Sequence, residues 1–137
     1  MDPLKGAMQV SGTGLALQSL RMRVISENMA NAQVTPSKPG DDPYQRKYVS
    51  FASVLDRQSG ITSVRLNDIN HVKGEFRLIN DPDNIAADEN GMVKMPKVDM
   101  YTEMADMRET IRSYEANLNA IRQAREMITM AIGMMKG

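Results

Sequence analysis

Apolar residues recur with 4,3 spacing at each end of the chain and lose that spacing in the middle. From the N-terminus the pattern takes Leu4, Met8, Leu15, Met22, Ile25 and Met29, with Ser11 and Gln18 in the remaining places. A heptad period held over nearly four repeats predicts a long amphipathic helix. The opening Met1-Asp2-Pro3 suits a helix start. Asp2 is the expected cap, and Pro3 fits the first position, where a missing N–H costs nothing. Asn28 and Asn31 mark the expected end, since asparagine tolerates the left-handed conformation that closes helices. The C-terminal pattern runs Met100, Met104, Met107, Ile111, Tyr114, Leu118, Ile121, Arg125, Ile128, Ile132 and Met135, and only Arg125 is polar. Asp99 is its expected cap, with Glu103 and Asp106 placed against the positive end of the helix dipole. A helix from 100 to 136 is ~55 Å long, more than a compact domain needs.

Between the helices, Pro36, Pro39, Gly40 and Pro43 predict an irregular linker over 32–43. "YVSFASVL" (Tyr48–Leu55) is rich in β-formers, Gly60 interrupts it, and "SVRL" and "EFRLI" alternate. Residues 44–79 thus read as strands in one or two hairpins. The stretch Asn80–Gly91, "NDPDNIAADENG", is turn-rich and acidic and reads as a loop. The fold class is mainly α. Terminal helices at 1–31 and 97–137 pair as a coiled-coil-like hairpin, with a small β-rich insertion at 44–96.

A two-stranded coiled coil buries only its a/d seam. As far as Glu126 the outer face of the C-terminal helix obeys that rule, with Glu109, Arg112, Glu115, Asn119 and Arg122 outside. Then Met127, Met130 and Met134 place apolar side chains off the seam. Near the N-terminus, Val10, Leu17 and Val24 repeat every seven residues beside the seam, joined by Leu20. The β-rich middle offers no third helix, so these seven residues are expected to pack against neighbouring chains. Burying one such side chain contributes about 1.5–3 kcal/mol. Left uncovered, they form the kind of patch that marks an interface.

Composition removes several function classes. Seventeen basic and 17 acidic residues cancel, which gives no drive toward nucleic acid or an acidic membrane. There is no cysteine, hence no disulfide, thiolate metal site or cysteine nucleophile. Methionine, at 13 residues against 2 Phe and no Trp, fills irregular gaps and suits helical contacts between chains. The start lacks the pattern of a cleavable signal. The run Met127–Met135 is about half of the ~20 residues that span a bilayer. A membrane-surface helix would want Lys and Arg beside its apolar face, and only Lys136 is close. His71 stands alone and is expected at a solvent-facing strand end, so zinc sites and histidine relays lack their parts. In "DPDNIAADENG" Ile85 occupies the place of a third calcium ligand, which leaves an acidic turn. Gly12-Thr13-Gly14 has no preceding strand for a phosphate loop. Nothing assembles a nucleophile, a base and an oxyanion site. The chain therefore reads as not an enzyme, with no cofactor and no small-molecule substrate. Two readings remain from the residues: a polymerising structural subunit, and a soluble coiled-coil adaptor or regulator acting as a discrete oligomer.

Three stretches carry a family likeness. "SENMANAQVT" (Ser26–Thr35) resembles the S-x-N-x-A-N-x signature that closes the N-terminal helix of flagellar rod and hook proteins. "DPYQRKYVSF" (Asp42–Phe51) looks like the segment after the linker in the family's proximal-rod members. Gly91–Met127 is similar to the family's G-Y-V-x-x-P-N-V-N, E-M-x-D-M and R-x-Y-E-A-N run. With the Met-Asp-Pro-Leu start and the total length, the likeness covers nearly the whole chain. It departs at Lys97-Val98-Asp99 for Asn-Val-Asn, at Met92 for Tyr, and at Asp81-Pro82-Asp83-Asn84-Ile85 for D-P-G-H-P. On this resemblance Asn28, Ala30 and Asn31 fall on the N-terminal motif. Pro96, Glu103, Met104, Asp106, Met107, Arg112, Tyr114, Glu115, Ala116 and Asn117 fall on the C-terminal one. The resemblance implies a bacterial flagellar basal-body rod subunit in the periplasm. It implies export by the flagellar type III apparatus, unfolded and without cleavage. Its implied partners are copies of itself and other rod proteins. The terminal helices would line the export channel, the β-rich middle would face outward, and the tube would carry torque.

Overall fold

The computed structural model describes residues 3–136, so the expected Asp2 cap lies outside the described residues. In chain order the elements are α1 (Pro3–Ala30), β1 (Lys47–Asp56), β2 (Ile61–His71), β3 (Arg77–Asn80), β4 (Met92–Met95) and α2 (Met100–Lys136). The two long helices form a hairpin around a small strand insertion.

Local chemistry sets the element ends. Asp99 caps α2: its carboxylate accepts the Tyr101 N–H and the Thr102 hydroxyl at 3.0 Å each, which satisfies donors the helix leaves open. α1 ends by a different device from the one expected. No non-glycine residue among those described has positive φ. Instead the Asn31 side-chain amide donates to the Glu27 carbonyl at 2.8 Å, and the Asn31 backbone N–H donates to the same oxygen at 3.1 Å. The asparagine stops the helix through its side chain, not through a left-handed backbone.

The strands form two separate two-stranded sheets, β1–β2 and β3–β4. At the β1–β2 turn Asp56 accepts the Gln58 N–H at 3.0 Å and the Ser59 hydroxyl at 2.8 Å. Gly60 supplies the positive φ that closes the turn. Those two donors, Ser59 first, hold the Asp56 carboxyl below its ordinary value. His71 closes β2 and is exposed. β4 is a strand that the sequence pattern did not reveal. It pairs antiparallel with β3, Arg77 opposite Met95 and Asn80 opposite Met92. Its alternation puts Val93 and Met95 into a small core with Ala86. Four residues are too few for period-2 alternation to stand out.

By compactness the chain divides into two units. One holds Met1–Met22, Ser50–Asp68 and Arg108–Gly137; the other holds Arg23–Val49 and Ile69–Met107. In the first, α1 approaches β2 so closely that a Cβ on Gly6 would stand 3.1 Å from Ile61 Cδ1. Val10 lines a groove with Ile61 and Ser59. Gly14 faces α2, and a Cβ there would stand 2.8 Å from the Asn117 amide nitrogen. In the second, Val24, Ile25 and Asn28 are buried along the end of α1.

This arrangement corrects two expectations. Leu17 and Val24, expected to pack against neighbouring chains, are both buried within this one. They share a helix face with Gly6 and Val10, and at Gly6 that flank is covered by the β1–β2 hairpin, a partner that periodicity alone does not announce. The seam of α2 is also turned. Glu103, Thr110 and Ala124 are buried and Asn117 is half-buried, one heptad apart in turn. The expected seam residues Met104, Ile111, Ile132 and Met135 are exposed, whereas Met107, Tyr114, Leu118, Ile121 and Ile128 are half-buried. Small and polar side chains allow close helix approach, and the bulkier row is left facing out.

Candidate assembly surface and its polar support

The family-motif residues fall into two groups, one turned inward and one outward. The inward group meets in the second unit. Asn28, buried near the end of α1, works as a two-sided clamp on the chain entering β1. Its amide nitrogen donates to the Lys47 carbonyl at 2.8 Å, and its amide oxygen accepts the Lys47 N–H at 2.9 Å. The same oxygen accepts the Tyr44 hydroxyl at 2.7 Å, and the same nitrogen reaches Glu103 Oε2 at 3.3 Å. Glu103, fully buried in the first turn of α2, pairs with Arg46, whose guanidinium also reaches Asp106 at 3.4 Å. Lys47 pairs with Glu27 at 3.2 Å.

A buried carboxylate is costly unless its partners replace water. Here Arg46 and Asn28 do so, which ties α1, the start of β1 and α2 to one point. Tyr44 is held above its ordinary 10.0, first by burial and then by the nearby charges of Glu27 and Glu103. Pro96 is buried, and its carbonyl accepts Arg77 Nε at 3.3 Å. These groups are committed to one another. Their arrangement fixes the geometry of this unit.

Tyr44, Arg46 and Lys47 are not among the residues that the sequence singles out. The signal was present, since "DPYQRKYVSF" was one of the three stretches carrying the family likeness. Nothing in the spacing of its charged and aromatic residues marks which of them turn inward. Only the fold shows that Tyr44 and the Lys47 backbone meet Asn28, that Arg46 meets Glu103 and that the Lys47 side chain meets Glu27.

The outward group is Ala30, Met104, Arg112, Glu115 and Ala116, all exposed. Along α2, Arg112, Ala116, Met127, Met130 and Met134 recur at helical spacing on one side. Met127, Met130 and Met134 are 56%, 67% and 81% exposed. A second exposed apolar row, Met104, Ile111 and Ile132, runs along another side. Every residue of α2 from Thr129 to Lys136 is exposed. Leu20 and Val10 on α1 are half-buried, as are the seam residues Leu4, Met8, Leu15, Met22 and Met29, while Ile25 is buried. Arg125 is exposed beside Met130. No helix among the described residues is long and apolar enough to cross a membrane.

Comparison with known proteins supplies the family. Residues 89–134 match the family model described as flagellar basal body rod FlgEFG protein C-terminal. The flagellar basal-body rod protein FlgC of Agrobacterium fabrum is 51% identical over 136 residues, covering 99% of this chain and 98% of that one. FlgC of Bacillus subtilis is 35% identical, covering 92% of this chain and 94% of its own. FlgC of Salmonella typhimurium is 32% identical, covering 95% and 98%. With relatives alike over nearly their whole length, the chain belongs to the FlgC family of flagellar basal-body rod proteins.

Proposed function

We propose that the chain is a structural subunit of the flagellar basal-body rod that polymerises through the exposed apolar rows of α2. The observation that carries this reading is the end of α2, where Met127, Met130 and Met134 stand uncovered. A helix with two apolar rows outside its own hairpin needs more than one further chain to cover them. Those chains are copies of this one and other rod proteins. Contacts between unlike patches propagate into an open helical array, and such a tube carries torque along its length.

Export by the flagellar type III apparatus as an unfolded chain follows from the same reading. Gly6, Gly12 and Gly14 lie inside α1, and glycine weakens a helix by roughly 1 kcal/mol per residue relative to alanine. Such a helix unravels readily for passage and is restored by packing. The chain then acts in the rod, without chemistry of its own.

The test is Met130→Glu with Met134→Glu in a flagellated host. Both side chains are exposed, so the isolated chain keeps its circular dichroism and its secretion. Incorporation into basal bodies is lost. Normal incorporation of the double variant contradicts the role given to α2.

A further inference from the structure

We infer that the β3–β4 loop of one copy docks, Ile85 first, into an apolar groove at the start of α2 in a second copy. This rests on the polymerising-subunit reading and names one of its contacts. The groove, of about 570 Å³, is lined by Val72, Val98, Met100 and Tyr101, with the cations Arg77 and Lys97 beside them. Two other charged residues of the lining are committed elsewhere. The Arg46 guanidinium is held by Glu103 and Asp106, and Asp99 caps α2. Arg77 and Lys97 make no salt bridge among the described residues. Tyr101 is 85% exposed on the groove's own edge.

The loop is the complement in charge. Asp81 N–H donates to the Gly91 carbonyl at 2.9 Å, and the Ala86 N–H donates to Asn84 Oδ1 at 2.9 Å. Asp88 Oδ1 accepts the Asn90 and Met92 N–H groups at 2.8 Å each. Held by these bonds, the loop exposes Ile85 to 75%. Asp83 and Glu89 flank it in sequence, and neither makes a salt bridge among the described residues. An apolar knob between two carboxylates thus matches an apolar groove beside two cations. The loop needs little further ordering to bind, which favours association. Ile85 is not seated in the groove of its own chain. Knob and groove are different patches, so the contact between copies runs head to tail and does not close on itself.

The chain contains no cysteine, which makes disulfide trapping clean. One full-length version carries Ile85→Cys and another Tyr101→Cys. Mixed at high concentration under mild oxidation, they give mixed dimers in about tenfold excess over either homodimer. Reversing charge on the loop with Asp83→Lys and Glu89→Lys lowers that yield about tenfold, and Lys97→Glu in the partner restores much of it. If the reversed loop alters the circular dichroism, Asp83→Asn with Glu89→Gln reads the same effect at smaller size. No excess of mixed dimer, or a yield indifferent to loop charge, overturns the docking. So does trapping of Tyr101→Cys to another rod protein but never to Ile85→Cys. Basal-body fractionation of the unaltered chain separates the two levels. Incorporation without the mixed disulfide overturns the docking alone, whereas no incorporation overturns the rod reading itself.

Discussion

At the scale of single residues, the fold is held where a few polar side chains meet. Glu103 is fully buried with Arg46 and Asn28 as partners. Removing one member leaves the others desolvated, and breaking a buried pair costs about 3–5 kcal/mol. Arg46 is partly exposed, so Glu103→Ala belongs near the lower end, about 3 kcal/mol. Urea unfolding of the isolated chain measures it, and Glu103→Gln is expected to lose less because it keeps the hydrogen bond to Asn28. Tyr44 adds a pH signature. Its raised pKa means that the folded chain retains this proton more strongly than the unfolded one. The associated stability is complete below the ordinary 10.0 and is lost as pH rises through the folded value. The urea midpoint of the unaltered chain should therefore fall more steeply above that pH than the midpoint of Tyr44→Phe, which has no proton to lose. Equal slopes would mean that Tyr44 titrates as it does in water.

At the scale of elements, the long helices were legible because their apolar period is sustained over many turns. Asp99 as the cap of α2 was readable for the same local reason. Which side of each helix faces its partner was not. α2 carries several apolar rows, and periodicity ranks them by bulk alone. The fold instead turns inward the row with Glu103, Thr110, Asn117 and Ala124. Glu103 is anchored by groups distant in sequence, and Gly14 admits α2 at close range. Leu17 and Val24 depart from expectation on related grounds, since a flank without a helical partner can still be covered by strands. Two glycines one turn-fraction apart test this packing. Gly12 has no neighbour within 4 Å of an added Cβ, whereas Gly14 meets Asn117. Gly12→Ala is expected to raise stability by about 1 kcal/mol through helix propensity. Gly14→Leu is expected to lower it, since its side chain must displace the Asn117 amide and part of α2. Thermal melts of both variants decide the matter, and the opposite ordering would place α2 elsewhere.

At the scale of the whole molecule, one chain hides part of its apolar surface and leaves the rest along α2. The buried polar cluster fixes α1, β1 and α2 to one another in the unit that holds it. The surplus on α2 is what a polymer subunit needs and what a self-contained protein avoids. Family membership and surface chemistry agree here, and the finer claim is that the methionine end of α2 lies under neighbouring chains in the rod. Cysteine protection at Met130→Cys measures this directly, because the chain has no other thiol. A soluble maleimide should label the free subunit rapidly and the same position in isolated basal bodies at least tenfold more slowly, as expected for a covered interface. Equal labelling in both states would show that this end of α2 stays in water, and would contradict the assembly surface assigned to it.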